Sequence, residues 1–209
     1  MFKKLLFNGQ AHQDQYVLYC LKSKQNGTFL EIGSNHYQEI NNSYLLEKSY
    51  GWSGIMVEYD SKYLADYKLH RTNSHHIIQD ATTINFKNVF ETLSFPKNID
   101  YLQIDLEVEN RSTLTTLENL DSQVMDDYKF AVVTFEHDIY RGDFFNTRQV
   151  SRNIFERRGY IRVFSDVMNC NSPYEDWYVH PDLVDMSIII PIQRNNPMPW
   201  KNIMKVLKP

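Results

Sequence analysis

Glycine is scarce in this chain: seven in 209 residues, against 14 tyrosines and 12 phenylalanines. Each glycine is therefore a placed one, and a glycine-rich phosphate cradle has little to be built from. Cysteine is scarcer still. Cys20 and Cys170 lie far apart and form no CxxC unit. They offer neither a disulfide framework nor a four-ligand zinc site, and this usage suits a reducing, cytoplasmic setting. Long apolar runs are missing as well. The most apolar stretch, Ile188-Ile189-Ile190-Pro191-Ile192, falls far below the ~20 residues a bilayer requires, so no transmembrane segment is expected. The opening Met1-Phe2-Lys3-Lys4 precedes an apolar run of only three residues, Leu5 to Phe7, too short for a signal-peptide core. There is no excess of positive charge. The 22 Lys and Arg are outnumbered by 26 Asp and Glu and are scattered, so nucleic acid is not expected as a partner.

What is present is the content of one globular domain, 42% hydrophobic and 23% charged. The expected organisation is a single domain over 1–209, with an N-terminal helical extension over 1–26. An irregular proline-rich tail is expected over 193–209, since Pro191, Pro197, Pro199 and Pro209 cluster toward the end. Short buried-strand patterns alternate with helical ones in between, the sequence form of an α/β fold with a mainly parallel sheet. Strands are expected at Thr28–Ile32, Gly54–Glu58, His75–Gln79, Tyr101–Asp105, Phe130–Glu136 and Tyr160–Phe164, then at Trp177–Val179 and Ser187–Ile192. Helices are expected near Ser43–Tyr50, Lys62–Leu69, Asn88–Leu93, Thr113–Leu120 and Asn146–Arg158.

Four of these strands end in an acid: Glu58, Asp80, Asp105 and Glu136. The first carries Glu31 one residue before its end. Ligands of open parallel sheets bind outside the carboxyl ends of the strands, so the pattern predicts one rim lined with carboxylates. The spacing from Gly33 to Glu58 suggests a nucleoside, because an acid ending the second strand accepts hydrogen bonds from ribose hydroxyls. After Gly33 come Ser34-Asn35-His36-Tyr37-Gln38, with no second glycine to admit a pyrophosphate. An acid-rich, phosphate-poor rim fits the cationic S-adenosylmethionine better than NAD.

Three segments then become recognisable together: Phe29-Leu30-Glu31-Ile32-Gly33-Ser34-Asn35, Asn42-Ser43-Tyr44-Leu45-Leu46-Glu47-Lys48 and Gly51-Trp52-Ser53-Gly54-Ile55-Met56-Val57-Glu58. They resemble the first motifs of FkbM-type methyltransferases, a class I S-adenosylmethionine-dependent family associated with O-methylation. The resemblance continues through Ile99–Glu107, Val133–His137 and Asp176-Trp177-Tyr178-Val179. It departs at His36-Tyr37, where the family has a small residue and glycine, and at Val108, where it has glycine after the acid.

The resemblance implies a Rossmann-like class I methyltransferase fold, with a mainly parallel central sheet, helices on both faces and an antiparallel C-terminal hairpin. It further implies that Glu31 and the Gly33 backbone lie beside the methionine portion of the cofactor, that Ser34 and Asn35 belong to the same cofactor site, and that Glu58 holds the ribose and Asp80 with Ala81 the adenine. Asp105 and Glu107 would mark the floor of the reaction site, with Glu136 and His137 opposite. The acceptor would be a hydroxyl of a small molecule, glycan or glycolipid.

His137 suits the role of base, because an imidazole titrates near neutrality and Asp105 and Glu136 are candidates to orient it. The rival role for Asp105, Glu136 and His137, with Glu107 and Asp138, is to hold Mg²⁺ or another divalent cation. Tyr140-Arg141-Gly142-Asp143 reads as a loop over the acceptor, and the segment from Asn169 to Trp177 either as a place where aromatic and carboxylate groups meet a sugar or as a hairpin whose Trp177 caps the core. A non-catalytic binding or assembly module retaining the fold is the alternative.

Overall fold

In the computed structural model, residues 7–207 are described; the lysine pair at Lys3-Lys4 and the terminal Pro209 lie outside that range. The strand pattern is realised as eight strands: β1 Thr28–Ile32, β2 Ser53–Glu58, β3 Ser74–Ile78, β4 Asn98–Ile104, β5 Lys129–Glu136, β6 Ile161–Asn169, β7 Ser172–Val179 and β8 Met198–Pro199. They form one sheet in the order β3-β2-β1-β4-β5-β7-β6-β8. β1 to β5 run parallel, while β7 lies antiparallel between β5 and β6. The order reverses at β1, whose neighbours are β2 and β4, and this is where an open α/β sheet leaves a crevice.

Alternation along the strands divides the apolar residues between two cores. Phe29, Met56, Tyr101, Val132 and Trp177 face helices α1 Gln13–Cys20, α2 Tyr44–Tyr50 and α3 Leu64–His70, with α7 Met186–Ile189 and α8 Trp200–Val206 completing that layer. Leu30, Ile55, Leu102, Val133 and Tyr178 face α4 Phe86–Thr92, α5 Ser112–Gln123 and α6 Thr147–Arg157. Helices thus cover both faces. No helix among the described residues is long and apolar enough to cross a membrane.

Three expectations are corrected. The run Ser187–Ile192 is helical, continuing from α7 into a 3-10 turn. Asp185 caps it by accepting from the Ser187 amide at 3.0 Å, and the buried pair Ile189 and Ile192 is spaced for a helix, three apart. Among its described residues, 193–207, the tail is not irregular, since it forms β8 and α8, and Ile203, Met204 and Leu207 are buried in the first core. The proline at 199 precedes this helix and leaves its interior intact. At the other end, the only helix among the described residues up to 26 is the eight-residue α1, and Tyr16, Val17 and Cys20 put it inside the core.

One buried ion pair ties α2 and α3 to the loop after β1. Arg71, directly after α3, has no exposed surface. Its guanidinium donates to Glu47 at 2.8 Å, to Asn41 Oδ1 at 2.9 Å, to Ser43 Oγ at 2.7 Å and to the Tyr37 carbonyl at 3.1 Å. Removing one partner of such a pair strands the other without water. Arg71→Met is expected to destabilise the protein by about 3–5 kcal/mol in urea unfolding. Adding Glu47→Leu should restore part of that loss; no restoration would show that the charge pairing is not the source.

Candidate functional site

The crevice beside β1 opens into two adjoining cavities at the carboxyl ends of the strands. The first, about 400 Å³, is bounded by Glu31, Gly33, Ser34, Asn35, Glu58, Asp105 and Glu136 among others. The second, about 450 Å³, holds Asp80 and Ala81. They share Glu58, Tyr59, Leu106 and Glu107. Every cofactor-site residue expected from the sequence therefore lies on this one cleft.

Gly33 shapes its floor. With φ at +84° and a Cβ position only 1.8 Å from the Asp105 carbonyl oxygen, no side chain fits there. The Gly33 and Ser34 amides donate to the Val57 carbonyl at 2.9 and 3.1 Å, which draws the β1 loop over the end of β2. Asn35 takes the left-handed conformation, and its amide donates to Glu58 Oε2 at 2.8 Å. Glu58 Oε1 accepts from the amides of Tyr59 and Asp60, so backbone groups fix this carboxylate at the junction of the cavities. Asp80 caps the turn after β3 by accepting from the Thr82 amide at 2.9 Å.

Glu31 is buried and already well partnered, accepting from Asn41 Nδ2 at 3.0 Å, Ser43 Oγ at 2.9 Å and the Ser43 amide. Burial raises its pKa, against the pull of Arg71. Deeper in the cleft Asp105 and Glu136 line the same cavity with Asp138. Burial pushes both carboxyls up, and the charge of Asp138 beside them adds to it. Carboxyls coupled in this way ionise one at a time.

The departures at 36, 37 and 108 fall outside the cavity walls. His36 Nδ1 accepts from the Gln38 and Glu39 amides, and Tyr37 stacks on His70 with ring centroids 4.3 Å apart. Val108 is buried and needs no left-handed backbone; that conformation falls instead on Arg111.

His137 does not face the cleft, which corrects its expected position as the base. Residues alternate at the end of β5: Glu136 and Asp138 line the first cavity, while the ring of His137 turns the other way. It is buried, with Nε2 3.6 Å from both Asp166 and Asp176. Asp105, Glu136 and His137 are therefore not gathered as metal ligands. Among the described residues the donor trio that does converge, within 4.8 Å, is His137, Asp166 and Asp176. Two arginines of α6 already neutralise it: Arg152 bonds both oxygens of Asp176 at 2.7 and 2.9 Å, and Arg148 reaches Asp166 at 2.9 Å. Burial works against ionised Asp176, yet the two bonds from Arg152, with His137 close by, hold its carboxyl far below the usual range. A cation has no charge left to balance there.

Several cleft residues are not among the site residues expected from the sequence. Gln103 lies two residues before Asp105 on the same side of β4, and strand alternation alone would have found it. Gln103 Oε1 and Asn42 Oδ1 are buried without a hydrogen-bond partner, and both residues line the first cavity. Arg141 spans Glu109 at 2.7 Å, Asp138 at 3.4 Å and Glu107 at 3.6 Å. Gln10 arrives from the turn before α1, which had no sequence signal. That turn is pinned by Asp14, accepting from the Asn8 amide at 2.7 Å, and by Gln13 Nε2, donating to Glu175 Oε1 at 2.8 Å and to Tyr174 Oη at 3.3 Å.

Burial pushes Asp14 up to about 7 and Glu175 to about 8. The folded state holds protons that the unfolded chain releases near pH 4, so stability is full at low pH and falls as pH rises toward about 8. Glu175→Gln keeps an acceptor for Gln13 and removes one titration. Its melting temperature should decline less than that of the wild type between about pH 5 and 8; parallel declines would remove Glu175 as a source.

No family model matches the chain, and no curated protein matches it in sequence. Solved structures do. A protein from Clostridium thermocellum that carries the designation rRNA-methylase is 13% identical with a TM-score of 0.55, over 84% of this chain and 99% of that one. Cofactor-bound Rv0187 from MTB is 14% identical with a TM-score of 0.55, over 85% and 83% of the two chains. A TehB-like SAM-dependent methyltransferase from Corynebacterium glutamicum is 11% identical with a TM-score of 0.50, over 80% and 87%. At these identities the likeness is one of fold: the chain has the Rossmann-like α/β fold of these proteins, mostly parallel with antiparallel C-terminal strands.

Proposed function

We propose that the chain is an S-adenosylmethionine-dependent methyltransferase acting on a hydroxyl of a small molecule or glycan, as its FkbM-like motifs imply. The observation that carries the reading is the two-part cleft: an acid-lined cavity and a second one bearing Asp80 and Ala81 meet at Glu58, with no glycine cradle for phosphates. The fit of the cofactor rests on donor chemistry. Gln103 Oε1 and Asn42 Oδ1 are buried acceptors in want of a donor, and the cofactor's ammonium is one. Around them Glu31, Asp105 and Glu136 favour a cationic ligand. Glu58 Oε2 keeps an acceptor site for a ribose hydroxyl, and Asp80 with the Ala81 backbone, in the second cavity, would meet the adenine.

When bound, the cofactor supplies a methyl group on a sulfonium: the acceptor oxygen bonds to that carbon as the carbon–sulfur bond breaks, leaving a neutral thioether. The protein's part is to align the reactants and receive the hydroxyl proton. The paired carboxyls are placed for the second task. The pair retains one proton, and its ionised member, made more basic by burial, takes the one released. No step runs through His137 or a divalent cation, because their donor groups are not assembled in the cleft. The non-catalytic alternative drew on the residues at 36, 37 and 108, none of which obstructs the cavities.

Glu58→Ala should weaken S-adenosylhomocysteine binding at least about tenfold by titration calorimetry, the loss of a charged hydrogen bond; unchanged affinity would sink the ribose contact. Asp105→Asn should lower kcat by about 10²-fold or more. In the wild type, activity should rise with pH as the Asp105–Glu136 pair ionises, with its midpoint above the ordinary carboxylate range. A profile already flat at that range would exclude the pair as the base.

A further inference from the structure

The first cavity has a side chamber of about 160 Å³ with a different lining. Gln10, Glu136 and Asp138 belong to both spaces. Beyond them the chamber is walled by two aromatic rings, Tyr140 and Tyr174, and by Asn169 and Ser172. The last two are register partners across the β6–β7 hairpin. The turn between them holds Cys170 and Asn171 at φ 49° and 67°, so the pair is presented by a tight two-residue loop. Asn169 Oδ1 accepts from Trp200 Nε1 at 3.3 Å, which leaves its amide nitrogen as the donor it can offer.

No lysine, arginine or histidine lines this chamber. The nearest cation of the cleft, Arg141, is engaged by Glu107, Glu109 and Asp138. A phosphate or carboxylate entering here would meet two acids and no counter-charge. An ammonium would find acceptors, yet it would leave the donors of Asn169, Ser172 and Gln10 unused. A ring with several hydroxyls uses both kinds of group, and its apolar faces suit tyrosine rings.

We infer that this chamber is the acceptor subsite and that it takes one uncharged sugar ring, with Asn169 and Ser172 setting its orientation beside Asp105 and Glu136. The inference rests on the methyltransferase reading and adds to it the class of acceptor. Its size admits a single ring, either free or at the end of a chain.

The test is binding to the full chain saturated with S-adenosylhomocysteine, followed by saturation-transfer NMR. The probes are methyl glucoside, methyl galactoside, a neutral oligosaccharide ending in the same rings, glucosamine and glucose 6-phosphate. At least one neutral glycoside should bind, with glucose 6-phosphate and glucosamine at least about tenfold weaker, a difference of about 1.4 kcal/mol. Binding of the simple glycosides alone would assign the acceptor as a free sugar, and tighter binding of the oligosaccharide would assign it as a chain end. Asn169→Ala and Ser172→Ala should each weaken the glycoside several-fold while leaving S-adenosylhomocysteine affinity unchanged, which also reports that the variants are folded. Preference for the phosphate or the amine, no glycoside binding, or indifference to both substitutions would overturn the assignment. Failure of S-adenosylhomocysteine itself to bind the wild type would overturn the methyltransferase reading and this one with it.

Discussion

The cleft depends on a guanidinium that water never reaches. Arg71 bridges Glu47 of α2 to Asn41 and Ser43, and those two residues in turn hold Glu31 at the end of β1. One positive charge thus stands among two buried carboxyls, and the loop between β1 and α2 takes its shape from satisfying them. In a low-dielectric interior such a network is costly when incomplete, so each member constrains the others. Asn35 and Ser34 reach the cleft because that loop has nowhere else to go. Tyr67 reinforces it from α3 by donating to the Asn35 carbonyl.

The acids of this protein fall into two regimes set by the sheet itself. On one side of β5, Glu136 and Asp138 meet Asp105 with only the overcommitted Arg141 nearby. On the other, Asp176 and Asp166 are matched by Arg148 and Arg152. The unmatched side is open to a ligand and the matched side is closed by α6. Adjacent residues in one strand therefore serve opposite purposes: Glu136 contributes chemistry to the cleft, while His137 helps to anchor the strand end that carries it. The amides of His137 and Asp138 both donate to the Tyr174 carbonyl, which fixes that end against β7.

The strands and their acidic ends were legible because β1 to β5 are short, apolar and punctuated. Thr28–Ile32 has the same bounds in sequence and structure. Local pattern failed where three isoleucines in a row matched a buried strand, although only Ile189 of the three is buried and Ile190 is 65% exposed. It failed at His137 because adjacency to Glu136 was read as proximity in space, whereas neighbours along a strand point to opposite faces. The segment from Asn169 to Trp177 carries a sugar-facing signal in the sequence, but Gln10 has none. The chamber they wall exists only where the beginning of the described chain crosses its last hairpin, a juxtaposition that neither segment encodes alone.

That crossing has a consequence in time. Gln13 meets Tyr174 and Glu175 across separations of 161 and 162 residues. Contacts this distant close late, after the entropy of the intervening loop has been overcome. During synthesis the N-terminal turn emerges first, but its docking surface emerges only once β7 has left the ribosome. The parallel strands β1 to β4 can pair before then, while the wall bearing Gln10 has no place to settle. A nascent chain halted before residue 172 would thus display the cleft's floor without its wall, and the two halves of the site would be joined in the final step of folding.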